Sequence, residues 1–210
     1  TQLKPKLLSF SKSGNWAKRG YSEALATMVL SGWASFNADD RKQYVSDTEL
    51  RDLLRDTNED FRIQIAWLAE RWAKEVDDSG DKSWLPKLLR LITDVWPRDL
   101  SIKTPKMSAC LCNLAFSNHD NFAEIALVVL PLVNRAELDH LHIHGIHQHG
   151  KEIAKAHPEL TLALLFAVLP EDAKSWPYEI DKVIEAIAVA DSALRKDVRH
   201  IELCLRWNAR

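Results

Sequence analysis

The run EDFRIQIAWLAERWAKEV, residues 59–76, decides the fold class. Apolar side chains recur in it at steps of three and four residues, which is the period of one face of an α-helix. Ile63, Ala66 and Trp67 widen that face, and Gly80 breaks the chain beyond it. The face itself consists of Phe61, Ile65, Leu68, Trp72 and Val76. The run therefore predicts an amphipathic helix packed on a core.

Helix-start signals and the same period recur on both sides of this run. Ser22 is placed to cap one helix, Asp47 or Thr48 to cap a shorter second one, and Ser83 to cap another that Pro97 ends. The predicted helices of this half cover about 23–36, 47–58, 59–76 and 84–96.

Prolines mark most helix boundaries in the second half of the chain. Pro105 follows the potential N-cap Thr104, and Asp120 is placed to cap the next helix. Pro158 opens an almost wholly apolar helix that Pro170 closes. A helix that is apolar all round is predicted to be buried.

Three further helices are predicted around that apolar one. A polar helix over about 148–156 precedes it, and Pro177 opens a helix that follows it. The last helix carries an apolar stripe at helical spacing. The stripe contains Val198, Ile201 and Leu205, with Cys204 as a further member.

These elements predict an all-α fold, since no segment alternates apolar and polar residues long enough for a strand. About ten helices form antiparallel pairs beginning near residues 22, 59, 104, 145 and 177. Their spacing scatters around the period of about 40 residues in HEAT repeats. The architecture is a short HEAT-like solenoid or an irregular helical bundle. Residues 1–20 are predicted to be a linker or basic arm, and residues 21–210 a single helical domain.

Composition limits the compartment and the partners. The net charge of −2 gives no overall attraction to nucleic acid or anionic membrane. Three cysteines, an odd number, argue for a reducing compartment, and we expect a cytoplasmic protein. No apolar run has the roughly 18 residues of a membrane helix. A start at Thr1, without an initiator Met or signal peptide, is expected of an excised piece of a larger protein or of a processed one.

The sequence lacks the glycine motifs of nucleotide-binding enzymes. It contains six glycines and neither G-x-G-x-x-G nor G-x-x-x-x-G-K, although loops that cradle phosphates need glycine. No Ser/His/Asp or Cys/His set stands in a context typical of catalysis. We therefore predict no enzyme activity, no catalytic or cofactor-binding residues, and no cofactor.

Histidines are concentrated in one segment, HLHIHGIHQH, residues 140–149. Neutral imidazoles are good ligands for zinc, nickel and copper. Part of the run is similar to the His-x-His-x-Asp-His ligands of metallo-β-lactamase-type hydrolases, but Ile146 takes the Asp position and the strands of that motif are missing. Two alternatives remain, a polar junction between helix pairs and a metal site. The candidate metal ligands are His140, His142, His144, His147 and His149.

Tryptophans and basic residues offer a weaker pattern. Eight tryptophans could stack on bases, and basic residues gather near the C-terminus. The tryptophans, however, mostly stand at helix ends or on apolar stripes, where they fill space between helices. Basic residues late in a helix also complement its dipole. Nucleic acid is therefore not the favoured partner.

The last third of the chain carries the runs HPE at 157–159, VLPEDA at 168–173, WPYEI at 176–180 and RWNAR at 206–210. In these residues it resembles the C-terminal helical region of bacterial sirtuin-type antiphage defence proteins. In that family an N-terminal sirtuin-like domain hydrolyses NAD, and the helical region accompanies it as a partner-binding or sensing part. The resemblance implies that any NAD chemistry lies in a portion outside this chain, and no catalytic residue carries over.

Together these patterns favour a non-catalytic helical interaction or regulatory domain of a larger multidomain protein. The resemblance implies a sensing or assembly part of an antiphage defence effector. The expected partner is another protein or a second copy of the chain, and not a membrane. The alternatives are a metal-binding helical domain that uses residues 140–149 and a helical nucleic-acid-binding module.

Overall fold

The computed structural model describes residues 3–13, 21–34, 44–73, 75, 84–97, 105–133 and 143–210. Within these ranges every regular element is helical, which confirms the predicted all-α fold. None of the helices in these ranges combines the length and apolarity needed to cross a bilayer. The chain divides into two compact units, Thr1–Leu100 and Ser101–Arg210, each with buried apolar residues of its own.

The described part of the first unit contains five α-helices. The second of them packs along the fourth, and the third packs against a π-helical turn, Leu91–Val95, that extends the fifth. The helices are α1 (Leu3–Ser13), α2 (Ser22–Ala34), α3 (Asp47–Asp56), α4 (Glu59–Ala73) and α5 (Leu85–Arg90).

Helix α4 is the one that the run 59–76 predicts, although it ends at Ala73. Phe61 and Ile65 are buried, as that pattern indicates. Trp72 is only half-buried, with its ring centroid 4.5 Å from that of Trp84. Trp67, expected to widen the inner face, is exposed, and the guanidinium of Arg71 lies 5.7 Å from its ring centroid. The prediction for Trp67 is wrong because a ring at the edge of the stripe can pack outward under a cation.

Ser46, rather than Asp47 or Thr48, caps α3. The Ser46 hydroxyl accepts from the amide of Glu49 at 3.3 Å, and the Glu49 carboxylate accepts from the amide of Ser46 at 2.9 Å. This reciprocal pair satisfies two backbone donors at the start of the helix. Asp47 instead accepts from the indole N–H of Trp33 at 2.8 Å, which ties α3 to α2. The prediction of Asp47 or Thr48 is wrong because it overlooked the Ser-x-x-Glu pattern of Ser46 and Glu49, which marks Ser46 as the cap.

The start of the chain differs from the prediction. Leu3–Ser13 is helical and contacts α3, where a linker or basic arm over 1–20 was predicted. The division near residue 100 falls inside the range predicted to be a single domain, 21–210, and that domain assignment stays a prediction.

The described part of the second unit contains six α-helices, and the other five are arranged around the apolar helix α9. This helix contacts each of the other five, which fits its nearly all-apolar sequence. The helices are α6 (Pro105–Ser117), α7 (Phe122–Val129), α8 (His144–Ala156), α9 (Pro158–Val168), α10 (Ile180–Ala190) and α11 (Val198–Asn208).

Helix α8 begins at His144, four residues before its predicted start. Gly145 makes this possible, since a Cβ there would lie 2.5 Å from the backbone carbonyl carbon of Phe116 in α6. The Gly145 amide donates to the side-chain oxygen of Asn113 at 3.3 Å. Glycine normally indicates a break in a helix. Here it permits close approach of two helices, and the prediction therefore placed the start too late.

The proline signals were accurate at two helix starts and approximate at another. Pro105 and Pro158 are each the first residue of a helix, as predicted. Pro177 precedes its helix by three residues, because a turn with Glu179 at φ 65° intervenes. Asp120 does not cap α7, which a 3-10 turn at His119–Asn121 leads into instead.

Candidate functional site

The last helix, α11, turns its apolar stripe toward solvent. Val198, Ile201 and Leu205 are 73%, 43% and 64% exposed. His200 and Leu203 are buried on the other side of the helix. A stripe of this kind ordinarily faces the core, and its outward direction is therefore the largest departure from the sequence pattern.

A buried hydrogen bond satisfies the polar side chain on the inward face of α11. The ring Nε2 of His200 lies 3.2 Å from the carbonyl oxygen of Ile184 in α10. A carbonyl only accepts, and Nε2 therefore carries the proton and donates it. Burial of a hydrogen-bonded polar group costs much less free energy than burial of one without a partner. The more polar of the two helical faces can consequently pack inward.

A groove of about 500 Å³ lies between α10 and α11. Ile201 and Leu205 are four residues apart and line the same side of it. The apolar part of its lining consists of Ile184, Ala188, Ile201, Cys204, Leu205 and Trp207. The exposed stripe of α11 is therefore continuous with a concave apolar surface.

Helices α10 and α11 run antiparallel. His200 contacts the carbonyl of Ile184, and just before α11 the Arg195 Nε donates to the carbonyl of Ala188 at 3.3 Å. Residues early in α10 thus face residues late in α11, and residues late in α10 face the start of α11. The groove has one end at Arg195 and another beside the C-terminal turn of α11.

The connection between the two helices is fixed by side-chain caps. Asp191 accepts from the amide of Ala193 at 2.9 Å, and Asp197 accepts from the amide of Arg199 at 2.8 Å. The Arg199 guanidinium bonds to Asp197 and also to Glu159 of α9, each at 2.6 Å. These bonds from Arg199 hold the pKa of Asp197 at about 2, below its ordinary value of 3.8. The groove is therefore built on a well-defined turn.

The charges on the rim differ between the two ends of the groove. Asp181 and Glu185 are exposed on α10 and line the groove, Asp181 nearer the C-terminal half of α11 and Glu185 beside the contact of Ile184 with His200. Arg195 is exposed at the opposite end. The charged side chains that line the groove are thus acidic on α10 and basic at Arg195, and the Arg210 guanidinium adds a positive charge over Trp207.

Trp207 forms a fixed wall near the C-terminal turn of α11. Its ring centroid is 6.1 Å from that of Trp176, whose indole N–H donates to the carbonyl of Pro170 at 2.8 Å. The guanidinium of Arg210 lies 3.3 Å from the Trp207 ring centroid. The Trp207 ring thus contacts both an aromatic ring and a cation.

Cys204 in the groove is paired with His200. Its sulfur lies 3.7 Å from Nδ1 of that ring. Because Nε2 of His200 carries a proton, Nδ1 of the neutral ring accepts from the thiol. Burial raises the pKa of the Cys204 thiol, which keeps it protonated at neutral pH. A protonated thiol is a weak nucleophile, and Cys204 acts here as part of the apolar wall.

The structure places only part of the histidine run. His144 begins α8, and His147 is exposed with its ring centroid 6.2 Å from that of Tyr178. His140 and His142 lie outside the described residues. Among the side chains that are described, no group of three His, Cys, Asp or Glu residues could hold a metal ion. The metal site at 140–149 stays a prediction.

His149 stacks on a histidine from outside the run. Its ring centroid lies 4.4 Å from that of His119, with 20° between the ring planes. A metal ion bound by both rings would lie in the plane of each ring, and two stacked, nearly parallel planes offer no such point nearby. His119 also pairs with Asp120, at 2.9 Å. The contact is therefore one of packing in this arrangement.

The fold and the groove define an all-helical protein with an exposed apolar surface between its last two helices. No family model matches the chain, and no solved structure matches it. Among curated proteins it is similar to the uncharacterized protein y4cA of Sinorhizobium fredii (strain NBRC 101917 / NGR234), with 26% identity over 185 residues. The match covers 88% of this chain and 16% of that relative. The chain thus spans a small part of the length of the relative it matches.

Proposed function

We propose that this chain is a non-catalytic helical interaction and regulatory module, and that the groove between α10 and α11 is its protein-docking face. The observation that carries the proposal is the outward direction of Val198, Ile201 and Leu205 beside an apolar concavity. Contiguous exposed apolar surface next to polar residues is typical of interaction sites.

The energetics favour a protein partner. Full burial of a Val, Leu or Ile side chain contributes about 1.5–3 kcal/mol. Three such side chains on one helix, with a half-buried tryptophan beside them, resemble the apolar centre of a protein interface. The charged rim around them matches the polar margin that surrounds such a centre.

The setting of the module is a larger, cytoplasmic protein. The matched relative extends far beyond the matched part, which supports a place in a multidomain chain. The free thiols of Cys110, Cys112 and Cys204 support a reducing compartment. Residues 157–210, which resemble the sirtuin-type defence proteins, include the whole lining of the groove. We therefore propose that the module senses or assembles partners for an antiphage effector.

Selection of helical peptides tests the proposal. Amphipathic helical peptides selected against the chain should bind in the groove and shift the NMR amide signals of Ile184, Ala188 and Leu205. Leu205→Glu should weaken that binding by about tenfold or more, because it removes one apolar contact and places a charge in its position.

Leu127 on α7 provides a matched control, since it is 64% exposed, as Leu205 is. Leu127→Glu should leave peptide affinity unchanged. Selected peptides that bind Leu205→Glu as tightly as the unchanged chain would contradict the proposal, as would a selection against the monomeric chain that yields no helical binder.

A further inference from the structure

We infer that the groove between α10 and α11 binds α11 of a second copy, so that two copies form a two-fold symmetric dimer. This inference rests on the proposed function, because it names the occupant of the same docking face. The observations that carry it are the exposed apolar stripe of α11 and the opposite charges at the two ends of the groove.

The occupant must be an amphipathic helix with a short apolar face. Ile184 and Ala188 on one wall and Ile201 and Leu205 on the other leave an apolar channel along α11. Helix α11 itself has eleven residues and presents an outward stripe over 198–205. It therefore supplies the kind of surface that the channel would bury, and two copies would each cover the stripe of the other.

The charges of the rim fix the direction of the second helix. Arg195 stands just before α11, and its bond to the Ala188 carbonyl holds it at that end. Asp181 lies one turn before Ile184, and therefore toward the C-terminal half of α11, at the other end of the groove from Arg195. A second α11 that lies antiparallel to the first brings its Arg195 end to the Asp181 end of the first copy.

A two-fold axis makes this contact twice. In an interface of this type the same patch is used by both copies, and residue i contacts j while j contacts i. Each Arg195 then faces the Asp181 of the other copy, whereas a parallel arrangement would set like charges against each other. The surface is therefore self-complementary in apolarity and in the charges of Asp181 and Arg195.

Charge reversal tests the arrangement through sedimentation of the intact chain across the micromolar range. The unchanged chain should sediment as a concentration-dependent dimer. Asp181→Arg places two arginines opposite each other at both contacts, and Arg195→Asp does the same with two carboxylates. Each variant alone should therefore be a monomer.

An equimolar mixture of the two variants should recover the dimer. In the mixed pair one contact joins the introduced arginine to the introduced aspartate, and the other joins the native Asp181 of one copy to the native Arg195 of the other. Ile201→Glu changes an exposed apolar position and should give a monomer. If it is added to both charge variants, their equimolar mixture should also stay monomeric. Helical circular dichroism spectra and melting curves confirm that each variant is folded.

Matched charge changes on α8 provide the controls. Glu152→Arg and Lys155→Asp make the same two reversals of charge, at exposed positions that do not line the groove. Both should remain dimers. A salt-dependent weakening of the native dimer is also expected, since the end contacts are exposed ion pairs.

Other outcomes overturn the inference, and they separate it from the proposed function. A chain that stays monomeric at all concentrations, or a dimer that Ile201→Glu leaves intact, overturns the pairing of α11 helices. So does a mixture of the charge variants that remains monomeric. If a monomeric chain still binds helical peptides in the groove, the docking face stands with a different partner. If it binds none, the proposed function fails as well.

Discussion

The inward face of α11 contains a buried histidine, and its more apolar face meets the solvent. Both faces of the helix carry apolar residues at helical spacing, and the stripe of Val198, Ile201 and Leu205 is the more apolar of the two. His200 and Leu203 are buried nonetheless, and the imidazole of His200 donates a hydrogen bond to the Ile184 carbonyl. That partner lies sixteen residues away, and no local pattern in the sequence indicates it. The stripe of α11 could be recognised in the sequence, but neither its outward direction nor the groove beside it could.

The N-cap of α11 should make stability depend on acidic pH. Hydrogen bonds from Arg199 lower the pKa of Asp197 from 3.8 to about 2. A carboxylate with a lowered folded-state pKa contributes stability that is fully present above the unfolded value. That contribution is lost as the pH falls from 3.8 through 2. Asp197→Ala should therefore lower Tm at neutral pH, and the difference from the unchanged chain should shrink over that acidic window.

Melting curves recorded at a series of pH values check this expectation. Asp197→Asn is the matched variant, because asparagine can still cap a helix while it lacks the charge that pairs with Arg199. It should show a smaller loss of Tm than Asp197→Ala at neutral pH. A difference that stays constant down to pH of about 2 would show that the Asp197 charge contributes nothing.

Two tryptophans of the first unit should differ in their contribution to stability. Trp33 is fully buried and donates its indole N–H to Asp47, and Trp33→Ala should cost about 3–5 kcal/mol. Trp72 lies mid-stripe in the sequence but is half-buried beside Trp84, and Trp72→Ala should cost less. Urea unfolding of the two variants measures both. Equal losses, or a larger loss at Trp72, would contradict the greater burial of the Trp33 indole.

At the scale of single elements, helix starts could be predicted more reliably than helix faces. Pro105 and Pro158 were accurate because a missing amide proton is harmless only in the first turn. The start of α8 was missed because the value of Gly145 depends on Phe116, which lies 29 positions earlier in the chain. Local chemistry thus fixes boundaries, whereas tertiary contacts decide the role of a glycine or of a polar face.

The histidines that lead into α8 should behave as independent residues. If they form a junction between helices, a chelator should leave Tm unchanged at neutral pH. The double variant of His142→Ala and His144→Ala should then cost about the sum of the single variants. Bound metal would act otherwise, because it stabilises the folded state by mass action and its ligands act together.

Metal analysis of protein purified without a His-tag accompanies that measurement. A chelator that lowers Tm by several degrees, or near-stoichiometric zinc in the purified protein, would replace the junction with a metal site. The five candidate ligands His140, His142, His144, His147 and His149 would then be the first to substitute singly.

At the scale of the whole molecule, the all-α class could be predicted but the division into two compact units could not. The helical period is local and visible in the run 59–76. The division near residue 100 depends on which helices contact each other, and regular spacing of helix pairs does not reveal it. In the second unit, α9 contacts both α10 and α11, and the groove between α10 and α11 lies at the surface.

The outward direction of the α11 stripe is tested by comparing the stability of Leu203→Glu with that of Leu205→Glu. The two leucines lie two residues apart on α11, and Leu203 is fully buried whereas Leu205 is largely exposed. Measured at concentrations at which the unchanged chain is a monomer, Leu205→Glu should unfold in urea at nearly the same concentration as that chain, as surface substitutions typically change stability by about 0.5 kcal/mol or less. Leu203→Glu should destabilise the second unit strongly, because it buries an unpaired carboxylate. The reverse order, with Leu205→Glu the unstable variant, would show that the stripe faces the core and that the docking groove does not exist.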